Sequence, residues 1–354
     1  VAGVQGDGQR HRADRDRHHY KLRIVPHAWL LGRRKSSRIF QNQRIGQIIA
    51  AVLAGGGIPF ELPLAEPGSE RAYCTQYEET DLGFVRRLCA ENGYFFWFVQ
   101  GPPHVDDAIS LALDEGLEHL QRLTNLAPPA LPGGPPRERL VIADHCAYDL
   151  IDDAAVRLLP QGVQAKQDDF VFSFTTAQAI RSTNAVYREY DWRRPRMQIE
   201  SASELKDQHP RDLEVYEHEG ADHFPDWNQR GAEAARMLKR SRRHSKTARG
   251  ASNSIRMFPG GRFVLLGAEG PSEEYAVVAL HHEGVEHPTD GKTGAYTNRF
   301  ECVPANVEYV PARVMRRRAQ TCLTATVCGP PGEEIHVNEH GQIKVKFHWD
   351  RSPE

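Results

Sequence analysis

Four stretches carry residue types that could do chemistry. Glu286–Thr293 reads EHPTDGKT and resembles the phosphate-binding loop GxxxxGK[ST], in which backbone amides wrap a phosphate beside a lysine. The first position of that loop must be glycine, and here it is Glu286. No helical pattern follows Thr293, so no helix N-terminus is aimed at an anion, and a surface turn fits the stretch better. His218-Glu219 with His223 echoes the zinc-protease HExxH. Two histidines share a helical face only at i, i+4; here the spacing is five, and Gly220 and Pro225 argue against a helix. His281, His282 and His287 form a looser cluster. Adjacent strand residues point to opposite faces, so solvated or hydrogen-bonded imidazoles explain this cluster as well as a metal would. Arg236–Arg249 (RMLKRSRRHSKTAR) is strongly basic. Nucleic acid is the sharp reading, but no aromatic residue is interleaved for base stacking. A solvated helix face, or one docked on an acidic neighbouring subunit, fits the charge balance better. No GxSxG, Cys/His nucleophile pair or spacing of paired catalytic carboxylates is present. The sequence therefore designates no catalytic, cofactor-binding or metal-ligating residue, and predicts neither an enzyme nor a cofactor.

The totals agree with a protein of ordinary globular character. A chain of 354 residues with 40% hydrophobic and 26% charged residues can bury the cores of two or three domains. A net charge of -2 gives no global field for nucleic acid or an anionic membrane. No apolar run approaches a membrane span, and polar Val1–Tyr20 lacks the apolar core of a secretory signal. Cys74, Cys89, Cys146, Cys302, Cys322 and Cys328 are scattered without CxxC, the usage of reduced cytoplasmic thiols. Cys322 and Cys328 share a strand face too far apart to bond.

The patterning is strand-dominated, with three helices inserted. A strand over Tyr20–Trp29 is interrupted by Pro26, and Arg33–Arg38 reads as a basic turn. From Gln41, the residues Ile45, Ile48, Ile49, Val52 and Leu53 fall at helical spacing, ended by Gly55-Gly56-Gly57. Pro59–Arg71 reads as loop and Tyr73–Tyr77 as a short strand. Thr80 caps a second helix with Leu82, Val85, Leu88 and Cys89 on its buried stripe and Arg86, Arg87 and Glu91 outside. Tyr94–Val99 is a β-prone run expected to be buried on both faces. Further strands are expected at Ile109–Leu113, Arg139–Asp144, Phe170–Thr175, Ala185–Trp192 and Leu213–Glu217, with a proline-rich linker at Pro128–Pro136. Asp226–His244 is the longest helix, with Ala232, Ala235, Leu238 and Arg242 sharing a face. Strands follow at Ser254–Met257, Arg262–Leu266, Tyr275–His282, Tyr296–Val303 and Cys322–Cys328. Gly260-Gly261 is expected to turn the first two into a hairpin. In Gly332–Arg351, Ile335 and Val337 precede a Gly341 turn, and Ile343, Val345, Phe347 and Trp349 alternate after it. A lone hairpin is marginal in water, so the sequence is expected to be a fragment cut inside a β domain, with a second fragment boundary at Val1.

Several of these stretches together resemble one family. Tyr77–Leu88 (YEETDLGFVRRL) followed by Glu91–Phe98 (ENGYFFWF) resembles the QYxExDxxFxxRLxExEGxxYxF block of the VgrG type VI secretion spike proteins. Trp29-Leu30-Leu31 with Ser37–Gln41, Asp191–Pro195, Leu213–Tyr216, the helix from Asn228 to Arg243, and Glu333–Arg351 are similar to family segments in the same order. The resemblance implies a mainly β fold with inserted helices: phage tail-hub-like small antiparallel barrels followed by the first strands of an OB-fold. It implies a truncated first barrel over 1–145, a second hub barrel with the long helix 226–244 over 146–325, and an incomplete OB-fold over 326–354. It also implies a homotrimer that mates with the hexameric Hcp tube and baseplate proteins. A needle, a PAAR tip and effectors would follow through sequence beyond residue 354. Assembly in the bacterial cytoplasm and release through the type VI apparatus are further implications. The hub of a contractile phage tail, or a spike carrying a downstream effector enzyme, is the alternative.

Overall fold

A computed structural model describes residues 3–6, 20–23, 25–65, 68, 70–100, 138–145, 149–159, 169–191, 196, 199–204, 212–220, 227–267, 273–285, 295–315 and 322–351. Among them are eighteen strands and three α-helices, so the fold is mainly β. The expected strand at Ile109–Leu113, the linker at Pro128–Pro136 and the Glu286–Thr293 turn lie outside the described residues.

β1 (Gly3–Gly6) and β2 (Tyr20–Arg23) pair antiparallel. The strand expected through Trp29 stops at Arg23, and a 3-10 helix over His27–Arg33 follows Pro26 instead. The expected basic turn at Arg33–Arg38 is also wrong: β3 runs over Lys35–Arg44 and pairs antiparallel with β5, Glu70–Thr80. Its cations are acceptable in a strand because they reach carboxylates across the ribbon. Helix α1 (Ile45–Gly55) forms where the aliphatic spacing predicts it, with Ile45, Ile48, Ile49, Val52 and Leu53 fully buried.

Thr80 does cap α2, Asp81–Asn92: the Gly83 amide donates to its hydroxyl oxygen at 3.1 Å. Gly93, at φ 78°, closes the helix in the left-handed region. The buried stripe is Phe84, Val85, Leu88 and Cys89, with Leu82 half-buried. Arg87 and Glu91, expected outside, are buried. Within the region expected to be loop, β4 (Phe60–Glu61) joins β7 (Glu138–Ala143) and β6 (Phe95–Gln100) in a sheet ordered β4-β7-β6. Of the aromatic run, Tyr94 and Trp97 are buried and the others half-buried.

Six strands close into a barrel: β8 (Asp149–Leu158), β9 (Phe170–Gln178), β13 (Lys246–Ser252), β14 (Gly261–Leu266), β15 (Glu274–Val285) and β16 (Ala295–Pro304), in the order β13-β16-β15-β14-β8-β9. β8 lies parallel to both β14 and β9, and the other pairings are antiparallel. Val171, Met257, Phe263 and Phe300 fill the interior. Gly250 is required there: a Cβ at that position would stand 2.3 Å from the Phe300 ring. The strand expected at Ser254–Met257 is a loop. Buried serine hydroxyls replace a ladder: the Ser254 amide donates to Ser252 Oγ at 2.8 Å, and Ser254 Oγ donates to Asp169 at 3.0 Å. β14 therefore pairs with β15 and β8, and no hairpin forms across Gly260-Gly261 with the preceding segment.

β10 (Asn184–Tyr190), β11 (Ile199–Glu204) and β12 (Glu214–Gly220) form a sheet ordered β11-β10-β12. Helix α3 (Trp227–Arg242) covers one face, where Ala185 meets Met237 and Leu238. Its buried residues are Glu233, Ala234, Met237, Leu238 and Arg240, while Ala232 is exposed. The expected face is thus rotated. α3 touches α2 as well as the sheet, so paired polar residues are buried alongside apolar ones.

The two halves meet through aromatic rings. Trp97 packs with Val141, Ala143 and Phe258, and Phe95 covers Ala276 and Val303 on the barrel's outer surface. At the C-terminal end, Val337 and Ile343 form the expected hairpin contact, and β18 (Val345–Phe347) pairs with β17. β17 is confined to Ala325–Val327 within the expected Cys322–Cys328 strand. Asn338 Oδ1 accepts from the His340 and Gln342 amides, and Gly341 takes φ 74°. Trp349 stacks on Phe347 and meets Tyr77 edge-on at 5.4 Å. Val327, Ile335, Val337, Ile343 and Val345 stay exposed on this small sheet.

Candidate functional site

The residues with chemical potential do not converge. His218 is exposed on β12, and Glu219 is the next residue of that strand; His223 lies outside the described residues. His281 is exposed on the barrel's outer surface opposite Arg299. His282 stands 2.6 Å from the Tyr296 hydroxyl, and His287 lies outside the described residues. Among the described residues no group of three or more His, Cys, Asp or Glu side chains could hold a metal ion, and no helix is long and apolar enough to cross a membrane. Burial pushes the Cys89 thiol up to about 12 and the Cys302 thiol higher still, so neither is a nucleophile near neutrality.

The basic run is not a solvated face. Arg240 is buried and donates to the Ala90 carbonyl at the C-terminal end of α2, at 3.1 Å, where a cation is favoured by the helix dipole. Arg236 and Arg240 both approach Glu233, and Arg236 lies across Gly93. Lys239 pairs with Glu308, Arg242 donates to the Ser182 carbonyl, and Arg249 pairs with Glu301 at 3.0 Å. Desolvation holds the Arg240 pKa below its ordinary value in spite of Glu233.

Two charge clusters tie α2 to β5. Glu91 is held by Arg71 at 3.0 Å and Arg87 at 3.1 Å, and Arg87 also pairs with Glu79 at 2.9 Å and donates to the Thr75 carbonyl. Asp81 is held by Arg38 at 2.6 Å, Arg34 at 3.2 Å and the Gln76 amide at 2.9 Å. Conformity of charge with charge inside the molecule makes these positioning groups, with no open coordination for a substrate.

Two of the described histidines contribute a pH dependence. Burial, then the neighbouring His281, holds His282 below the ordinary 6.5; burial, then Arg243 and Arg181, does the same for His244. The unfolded chain therefore protonates first as pH falls. Their contribution to stability is full above about pH 6.5 and is lost as pH drops through the folded values. Calorimetry is expected to give a lower melting temperature at about pH 5 than at about pH 7.5. The double variant His244→Phe/His282→Phe should lose part of that difference, and an unchanged difference would remove these groups as its source.

Among the described residues, the exposed surfaces include two of contrasting shape. One is a concavity of about 730 Å³ on the outside of the barrel, where Ser173, Ala251 and Ala279 are small and Arg249, Arg299 and His281 project. The other is the face of the β11-β10-β12 sheet turned away from α3, with exposed Tyr190 and Tyr216. Sequence reasoning missed both. Their signal is alternation within β10, β12 and β16, whose outward side cannot be assigned before the pairing is known.

Comparison with known proteins places this architecture. The type VI secretion system spike protein VgrG4b of Pseudomonas aeruginosa is 30% identical over 355 residues, covering 94% of this chain and 39% of that protein. The actin cross-linking toxin VgrG1 of Vibrio cholerae is 29% identical over 356 residues, covering 96% of this chain and 29% of that protein. The chain thus spans well under half the length of these relatives. The solved structure of the E. coli c3393 protein, described as a type VI secretion component similar to T4 bacteriophage tail proteins, superposes with a TM-score of 0.62 at 18% identity. That likeness in fold covers 98% of this chain and 70% of the other. The phage tail baseplate hub (GPD) profile matches residues 1–288, and the chain belongs to that family.

Proposed function

We propose that the chain is the hub portion of a type VI secretion spike, a trimeric structural subunit that joins the Hcp tube to a β-helical needle and delivers effectors. The observation that carries this is likeness to spike proteins over 94% of the chain, on a tail-hub fold. The work is mechanical: the tube pushes the hub and the hub drives the needle. Hcp and baseplate proteins are the proposed neighbours, with a PAAR tip and effectors reached through sequence beyond residue 354. Residues 1–145 and 146–325 act as two hub regions and 326–354 as the opening of an OB-fold, whose further strands would cover the exposed Val337, Ile343 and Val345. Assembly takes place in the bacterial cytoplasm before release through the apparatus.

The product of the whole gene is expected to sediment as a trimer. In a strain without other spike genes, deleting it should stop release of the tube protein into the medium. A stable monomer, or undiminished release, would count decisively against the role. The hub of a contractile phage tail is the second reading, favoured by the family match itself. Neighbouring genes decide between them, since sheath and Hcp genes differ from phage tail genes.

A further inference from the structure

We propose that the two open surfaces are one interface seen from both sides: the tyrosine face of the β11-β10-β12 sheet of one copy docks into the barrel concavity of the next copy. This rests on the trimeric hub reading and names the surfaces that would make the ring.

The concavity has a definite origin. Strands β9, β13, β16 and β15 run side by side, and their outward positions in register are Thr175, Arg249, Glu301 and Ala279 in one row, and Ser173, Ala251, Arg299 and His281 in the next. Ala279 at one end of the first row, and Ser173 and Ala251 on one side of the second, leave those parts of the ladder uncovered beside Arg249, Glu301, Arg299 and His281. The resulting open concavity measures about 730 Å³. The same outer surface is already an interface further along β15 and β16, where Phe95 seals Ala276 and Val303. The open part therefore continues a surface that the chain itself uses for packing.

The opposing face is its complement in shape and charge. The outward rows of the sheet are Glu204, Asn184 and Glu214; then Ala202, Val186 and Tyr216; then Glu200, Arg188 and His218. Tyr190 and Tyr216 stand proud at 49% and 51% exposure. Large amphipathic rings of this kind are enriched at interfaces. Three carboxylates face a single arginine, and that arginine is already paired with Glu200 at 2.5 Å. In the concavity two arginines face Glu301, which pairs with Arg249, and exposed Arg299 has no ion pair among the described residues. Complementary potentials of this sort set register and partner choice. Because the two faces differ, the contact is head-to-tail, the kind that closes into a ring when the rotation permits.

The test uses the whole gene product with Cys146→Ser, Cys322→Ser and Cys328→Ser as background. Tyr216→Cys together with Ala279→Cys, treated with a short bifunctional maleimide, should give covalent dimer and closed trimer bands, and neither single variant should. Adding Arg249→Glu and Arg299→Glu should cut the cross-linked yield at least about tenfold, the effect of roughly 1.4 kcal/mol of repulsion. Further adding Glu204→Lys and Glu214→Lys should restore it. A sedimenting trimer without the paired-cysteine cross-link, or with a yield indifferent to the charge reversals, overturns this interface and leaves the hub reading standing. A sedimenting monomer overturns both.

Discussion

Glu91→Leu is expected to lower stability by about 3–5 kcal/mol in chemical denaturation, the cost of breaking a buried ion pair from one side. The Arg71 and Glu91 side chains are both about 4% exposed, and they pair at 3.0 Å. Leucine would leave that guanidinium in the interior without its carboxylate. Arg87 would be left with Glu79 and the Thr75 carbonyl alone. The double variant Arg71→Met/Glu91→Leu should recover most of the loss, since matched apolar replacement of buried ions is often neutral. A single-variant loss under about 1 kcal/mol would mean that water reaches the cluster and that it behaves like a surface pair.

Gly260→Val should be nearly as damaging and should act on the contact between the two halves. Gly260 sits at φ 86°, and a Cβ there would lie 2.7–2.9 Å from the Trp97 ring. Left-handed backbone costs a side-chain-bearing residue about 1–2 kcal/mol, and overpacking about 1–3 kcal/mol more. The expected total is about 2–5 kcal/mol, with a red-shifted Trp97 emission as water enters the seam. Gly284→Ala is the control, because nothing lies within 4 Å of its would-be Cβ. Equal behaviour of the two variants would show that the ring does not hold the seam.

The elements legible in the sequence are those whose burial is made by their own aliphatic spacing. α1 is the clearest, since Ile45, Ile48, Ile49, Val52 and Leu53 need no partner to declare a face. β13 is the opposite case. KTARGAS has no hydrophobic alternation, and it is a strand because β9 and β16 bond it from both sides. In β8 the residues Asp152-Asp153 conceal the pattern, and Asp153 takes a positive φ of 47° beside the register shift against β14. Arg87 and Glu91 look like a solvent-facing i, i+4 pair until Arg71 and Glu79 arrive from β5. The same logic hides the candidate interface, because outward and inward are properties of the sheet and not of a segment. The hub assignment was legible only as resemblance, carried by blocks such as Tyr77–Leu88, whose Asp81 and Arg87 prove to be buried.

The parallel seam of the barrel also sets a schedule. β8 begins at Asp149, but its partner β14 does not appear until Gly261, and β16, which closes the ring of strands, ends at Pro304. At about 5–20 residues per second of synthesis, roughly 10–30 s separate the first barrel strand from the last. Through most of that interval β8 has only its short parallel pairing with β9 on the nascent chain. Pairings so distant in sequence are slow to form. The subunit becomes competent to assemble late in translation, and a cell making it quickly has to shelter half-built sheets from one another.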